Sequence, residues 1–286
     1  IMSLRLIPPR DFDACVTKLR RFFKLKMGFT EVHTQSTQSI LAACEDPETI
    51  STYNYGGKIW PLPQTGQMWL EDVLLKDPDL NGAFTVSTSY RNEPDPVPGR
   101  HELTFPMFEF EMKGDMNDLE NLMKDLCKDL GFEQTDGSFP AGDYIDVAEQ
   151  YGVSELEHEH EAQLEKDYGP VYLLKNFPIY TSPFWNMKWN EAEKTSNKID
   201  VIIHGVETIG SAERSTNKDE MREMFDTISD GQYKGILYDK FGKERVDREL
   251  DKFLDYDFFP RFGGGIGVTR MISAMKQSNI LYDTEA

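Results

Sequence analysis

Four short stretches hold the residues whose types and spacing could do chemistry. In SYRNEPDPVPGRHELTFPMFEFEMKG, residues 89–114, Arg91, Arg100 and His101 stand among several acids and Phe105. An arginine fork suits a phosphate, and an aromatic ring beside it can stack on a base. The flanks alternate like two strands, while the middle carries three prolines and a glycine, so a hairpin with a long loop is expected. Residues two apart share a strand face, which would pair Arg91 with Glu93 and Glu109 with Glu111. The plainer reading is a solvated ribbon face.

FGGGIGVTRM sets glycines at 263, 264, 265 and 267 ahead of Arg270 at an expected helix start. Glycines admit a ligand or a second element close to the backbone, so ligand binding at Gly265 and Gly267 and tight strand–helix packing are both open. The stretch lacks the lysine of a P-loop and the third glycine of a dinucleotide fingerprint. In DVIIHGVETIGSAER a buried apolar strand is expected to end in Glu207, a costly place for a carboxylate unless it meets a metal or an arginine. Arg214 is the partner available for an ion pair. LPQTGQMWLED could aim Gln64, Gln67 and Glu71 into one site, or could simply be a polar helix start.

Other features carry less. His158 and His160, two apart on an expected helix, point away from each other and read as surface. Cys15, Cys44 and Cys127 are far apart and odd in number, as expected of reduced thiols. Thirty-one basic against fifty acidic residues give a net charge of −19, which disfavours extended nucleic-acid contact, DNA included, but leaves room for a local arginine cluster to hold a small anion. There is no apolar run long enough for a membrane span and no secretory signal pattern, so the cytoplasm is the expected compartment.

The elements that must position these residues follow from periodicity. DFDACVTKLRRFFKLKMGF predicts an opening helix closed by Gly28, FTEVHTQ a strand, and KIWPLPQTGQMWLEDVLLK a short strand, a turn and a helix beginning near Thr65. Helices are predicted over 117–130, 155–169, about 217–229 and about 244–254, with a last one after Arg270; VYLLKNFPIY, KIDVIIHGVETIG and FPRFGGGIGV are strand candidates. No repeat or linker interrupts the 286 residues, so one α+β domain with a largely antiparallel sheet flanked by helices is expected.

Taken in order, these segments resemble the catalytic core of class II aminoacyl-tRNA synthetases, in particular the aspartyl and asparaginyl branch. GFTEVHTQ is similar to the first motif of that class, YRNE with GRHELTFPMFEFE to the second, and GGGIGVTR to the third; QTGQMWLE and GVETIGSAER resemble the branch's amino-acid-binding segments. The resemblance implies that Arg91 grips the α-phosphate and the amino-acid carboxylate, that Arg100 and His101 meet the outer phosphates of ATP, and that Phe105 stacks on adenine with Arg270 on the other face. It further implies Mg²⁺ on Glu207, the substrate amine near Gln67 and the substrate side chain on Arg214. Departures are Gln35 for a proline, Thr104 and Thr269 for acids, and Leu70 followed by Glu71, closer to the asparaginyl pattern than to the aspartyl lysine. Because the resemblance begins within the first dozen residues, with no anticodon-binding barrel ahead of it, the expected activity is that of a stand-alone paralogue: aspartate activated with ATP and passed to ammonia, as in asparagine synthetases of this branch. A ligase to tRNA or another amine, and a non-catalytic binding module, are the alternatives. A homodimer through residues 11–35 is expected, since Phe22, Phe23 and Phe29 exceed what one helix face needs.

Overall fold

The structure, a computed structural model, describes residues 6–34, 39–43, 47–94 and 102–283. Helices run α1 (Pro9–Arg20), α2 (Gln67–Lys76), α3 (Met116–Leu130), α4 (Tyr144–Tyr151), α5 (His158–Tyr168), α6 (Lys218–Thr227), α7 (Gln232–Phe241), α8 (Lys243–Leu254) and α9 (Val268–Gln277). Strands run β1 (Thr30–Glu31), β2 (Thr52–Tyr55), β3 (Lys58–Pro61), β4 (Ala83–Tyr90), β5 (Thr104–Lys113), β6 (Ala141–Asp143), β7 (Val171–Pro178), β8 (Trp189–Asn190), β9 (Thr195–Ile203), β10 (Val206–Arg214) and β11 (Arg261–Gly267). The main sheet has the order β1-β4-β5-β11-β10-β9-β7-β6, with β8 on β9 and β2 paired to β3 in a separate hairpin. Its body is antiparallel and only the outer pairs, β1 with β4 and β6 with β7, are parallel. Among the described residues no helix is long and apolar enough to cross a membrane.

Alternation decides what each face carries. On β5 the even positions Phe108 and Phe110 join Phe84, Phe262, Ile266 and Ile209 under α1, α3 and α9. Phe23 stacks on this layer at 5.0 Å from both Phe108 and Phe110. The chain after α1 widens into a π-turn over Arg21–Lys26, which lets the consecutive Phe22 and Phe23 both turn inward. Phe22, Phe23 and Phe29 are therefore buried within the chain. The surplus apolar surface that suggested a dimer interface is consumed by the core, and that argument for a homodimer falls.

Local signals explain most element ends. Asp115 caps α3 by accepting from Asn117 and Asp118 amides, and Gly131 closes the helix at φ +95°. Four expectations are corrected. Only Thr30 and Glu31 of FTEVHTQ pair as strand, and Gln35 lies outside the described residues. KIDVIIHGVETIG is not one strand: His204 and Gly205, at φ +49° and +70°, turn it into the β9–β10 hairpin. The region after Asn217 holds an additional helix, α7, and the last helix starts at Val268, ahead of Arg270. Cys15 and Cys127 are buried free thiols; Cys44 lies outside the described residues.

Candidate active site

The face opposite the phenylalanine layer carries the polar residues. Register aligns Glu111, Gly263 and Ala212 in one row across β5, β11 and β10, Glu109, Gly265 and Gly210 in the next, and Met107 beside Gly267. β9 extends the rows with Lys198 opposite Ala212 and Asp200 opposite Gly210. Small residues in the middle of these rows leave a cleft of about 700 Å³, lined among others by Arg91, Glu93, Phe105, Gln67, Glu207, Arg214, Gly265, Gly267 and Arg270. At Gly263 even a methyl group would collide with the Glu111 carboxylate and the Gln67 amide, so glycine there is a demand of close approach.

One end of the cleft is a buried cluster of opposite charges. Arg214 donates to both oxygens of Glu111 at 3.2 and 3.3 Å and lies 3.7 Å from Glu71. Arg261 donates to Glu71 at 2.7 and 3.0 Å and to the Ser215 carbonyl at 3.1 Å. The Gln67 amide reaches the Phe110 carbonyl at 2.9 Å and the Glu111 carboxylate. Burial pushes the Glu111 carboxyl up to about 7, Arg214 pulls it back and Glu71 adds to the rise. Asn186 donates to Glu71 at 2.6 Å and to the Met68 sulfur, which fixes its amide orientation; its Oδ1 is buried without a hydrogen-bond partner on the cleft wall. Glu109, two residues along the strand from Glu111, is instead held by neutral donors: the Gly66 amide at 2.8 Å, the Ser87 hydroxyl at 2.6 Å and the Thr65 hydroxyl. It anchors the start of α2, and so places Gln67.

At the other end Arg270, two residues inside α9, donates to the Glu207 carbonyl at 2.7 Å and lies 3.8 Å from its carboxylate. Glu207 and Asp200 flank Gly210: a methyl group there would sit 3.1 Å from Glu207 Oε1 and 3.6 Å from Asp200 Oδ1. Asp200 is bound by Lys198 at 2.6 Å through one oxygen, and the other is buried without a hydrogen bond. Burial raises its carboxyl to about 7, with Glu207 adding to the rise against Lys198. Two adjacent carboxylates, one with a buried oxygen unsatisfied among the described residues, would fit a Mg²⁺ ion. Among the described residues no set of three or more metal-binding side chains competes with this arrangement.

The sequence-predicted residues are thus largely brought together, with differences. Arg91 and Glu93 lie beyond the end of β4, so they do not share a strand face; the Arg91 amide donates to Leu103 and its guanidinium lies 5.8 Å from the Phe105 ring. Glu207 stands on the second position of β10, half exposed, and not at the end of the buried strand. The ion pair offered for it with Arg214 is not formed, because each has a different partner: Arg214 binds Glu111, and Glu207 lies beside Arg270. Gln64 and Glu71 lie below the cleft surface: Gln64 is tied to the Thr49 hydroxyl at 2.6 Å, and Glu71 is sealed beneath Arg214 and Arg261. Arg100 and His101 fall outside the described residues. His158 and His160 are surface residues, His160 accepting the Glu157 amide at the start of α5. Lys198, Asp200, Asn186 and Arg261 were missed. Asp200 had a signal, an acid at the alternate position of an otherwise apolar strand; Asn186, in a loop, had none.

Known proteins are similar to this chain in sequence and in fold. The chain is 25% identical over 278 residues to an aspartate–tRNA(Asp) ligase of Pyrobaculum aerophilum, covering 87% of this chain and 59% of that protein. A Thermoplasma volcanium aspartate–tRNA(Asp) ligase is 23% identical over 294 aligned positions, with 92% and 64% covered. The chain therefore spans about three fifths of the length of these relatives. Among solved structures, asparaginyl-tRNA synthetase from Pyrococcus horikoshii complexed with asparaginyl-adenylate superposes with a TM-score of 0.74 at 19% identity over 95% of this chain and 65% of that one. Aspartyl-tRNA synthetase from Entamoeba histolytica gives 0.68 at 19% identity, over 93% and 54%. The family of class II tRNA synthetases (D, K and N) matches residues 11–284, and with the antiparallel sheet and the arginine-lined cleft it carries, this chain belongs to that family.

Proposed function

We propose that the cleft activates a four-carbon amino acid, aspartate or asparagine, with ATP, forming an acyl-adenylate and pyrophosphate. The observation that carries this reading is the division of one cleft into two ends, Arg91, Phe105, Arg270 and Glu207 at one, with Asp200 just beneath it, and Arg214 with Gln67 at the other. Arg91 and Arg270 are placed to hold phosphate oxygens and to stabilise the charge that builds as the substrate carboxylate attacks the α-phosphorus. Phe105 offers a ring for the base, and Gly265 and Gly267 let the nucleotide lie against β11. Glu207, with Asp200 beside it, would hold Mg²⁺, which would supply Lewis-acid neutralisation of the phosphates. Arg214 donates to the substrate side-chain oxygen, and Gln67 orients the amine. Glu71 and Arg261 act behind Arg214, holding its plane.

The acceptor of the acyl group is proposed to be ammonia: for asparagine to form, the β-carboxylate of aspartate is the one adenylated, its α-carboxylate takes the place of the side-chain oxygen on Arg214, and ammonia displaces AMP. A second reading, transfer to tRNA in the cytoplasm, is favoured by the two relatives named as aspartate–tRNA(Asp) ligases. Incubation with ATP, Mg²⁺, each amino acid and either ammonia or tRNA, read as AMP and product by mass spectrometry, separates them. Release of AMP with aspartate and ammonia alone supports the first; AMP that appears only with tRNA supports the second. No pyrophosphate exchange with either amino acid sinks both.

A further inference from the structure

We infer that the groove between the β2–β3 hairpin and helices α7 and α8 is a second nucleotide-sized phosphate site, separate from the cleft. It measures about 350 Å³ and is lined by Lys58, Ile59, Trp60, Lys240, Phe241, Arg245, Arg248 and Glu249. Four bases face one acid there, in a chain where acids outnumber bases fifty to thirty-one. Glu249 is already committed, accepting from the Ser39 hydroxyl at 2.6 Å, the Ile40 amide at 3.0 Å and Arg245 at 3.4 Å.

Arg245 is built into the groove. Its guanidinium lies 4.3 Å from the Trp60 ring and 5.7 Å from that of Phe241, and Nη1 donates to the Ile59 carbonyl at 2.6 Å. Nη2 is shielded from solvent and has no hydrogen-bond partner among the described residues. A guanidinium stacked between rings with one donor unsatisfied lacks an anionic oxygen. Exposed Lys58 and Arg248 make no ion pair among the described residues, and Lys240 only reaches the Ile50 carbonyl at 3.4 Å. Surface cations normally find acids easily on so acidic a chain; here three carry no acid among the described residues.

The chemistry favours a phosphoryl group attached to a flat apolar body. The phosphate would be held by Arg248, Lys240 and Lys58 at the rim, in the field of the Arg245 charge beneath them, while Ile59, 46% exposed, and the Trp60 edge receive the ring. The volume holds one nucleotide and not a strand.

The test is calorimetric titration of the whole chain with AMP. Wild type should show two sites. The double variant Lys58→Glu/Arg248→Glu, which touches only exposed unpaired side chains, should weaken one of them at least about tenfold and leave ATP-dependent AMP formation unchanged; Arg245→Lys, keeping the charge without the fork, should weaken the same site. Arg91→Ala should remove the other site, so failure of the cleft reading and failure of this one are told apart. Inorganic phosphate competing as well as AMP would assign the site to free phosphate, and weaker competition to a nucleotide. A single site in wild type, two sites unaltered by the charge reversals, or a hexa-adenylate binding more than tenfold tighter than AMP would overturn the proposal.

Discussion

The two faces of β5 differ more than any two domains could, although one residue separates them. Phe108 and Phe110 pack into stacked rings with centroids at 5.0 Å, closed to solvent, and make contacts that are purely geometric. Glu109 and Glu111 on the other face are equally buried, yet every atom of their carboxylates is specified by a named donor. The apolar face tolerates no lost volume, and the polar face tolerates no lost partner. Stability and chemistry are thereby assigned to alternate residues of the same strand.

Breaking the apolar face should give the largest effect. Phe110→Ala removes a ring from the fully packed layer and should cost about 3–5 kcal/mol by chemical denaturation. Activity per folded molecule should stay near wild type. If it falls further than the unfolded fraction explains, the two faces are not separable.

The converse variants are Arg91→Ala and Arg270→Ala. Under the proposed mechanism each loses a charged donor for the developing phosphate charge and should lower AMP formation by about 10²–10³, with little change in denaturation midpoint. Near-normal turnover in either would remove that residue from the mechanism. Arg214→Lys tests the junction between the faces' roles. A lysine keeps the charge but loses the fork, so KM for the amino acid should rise about 10–100-fold, the worth of a charged hydrogen bond, while ATP affinity is kept. Arg214→Leu should also remove amino-acid binding, but it strands the buried Glu111 and should cost about 3–5 kcal/mol of stability as well, so it is read by calorimetry on the folded protein. Unchanged amino-acid affinity in the leucine variant would mean that Arg214 does not read the side chain.

The apolar face was the more legible one in sequence. Periodicity located α1, α3, α8 and the paired strands of the second motif, because burial imposes repeats of two or 3.6 residues on the chain. What escaped depends on backbone chirality or on distant partners. His204 in a left-handed conformation turned one apparent strand into two, and histidine is a weak signal for such a turn. The Gly56–Gly57 pair between TYNY and KIWP is a readable hairpin signal, and the two strands it joins do pair. On the polar face, residue types pointed to the right cleft, but not to who pairs with whom: Glu71 meets Arg261 across 190 positions, and no local pattern encodes that.

The smallest effect discriminates most finely, and it concerns the charge of the substrate side chain. Arg214 and Arg261 are balanced by Glu71 and Glu111, so an aspartate side chain would bring a third carboxylate to two cations. Asparagine would bring none, and its amide could give a hydrogen to the unpartnered Asn186 Oδ1 while its oxygen accepts from Arg214. Glu111, raised to about 7 by burial, changes this balance within the working range. Below pH 7 it becomes protonated, the cluster gains a positive charge and aspartate binding strengthens; above pH 7 it is ionised and the preference moves toward asparagine. The ratio Kd(Asp)/Kd(Asn), measured by calorimetry without ATP, should therefore rise from pH 6 to pH 8 by up to about tenfold per pH unit, the limit for one linked proton. Glu111→Gln should flatten the dependence and hold the ratio at its low-pH value. A ratio independent of pH in wild type, or a slope that persists in Glu111→Gln, would show that this carboxylate does not set the selectivity.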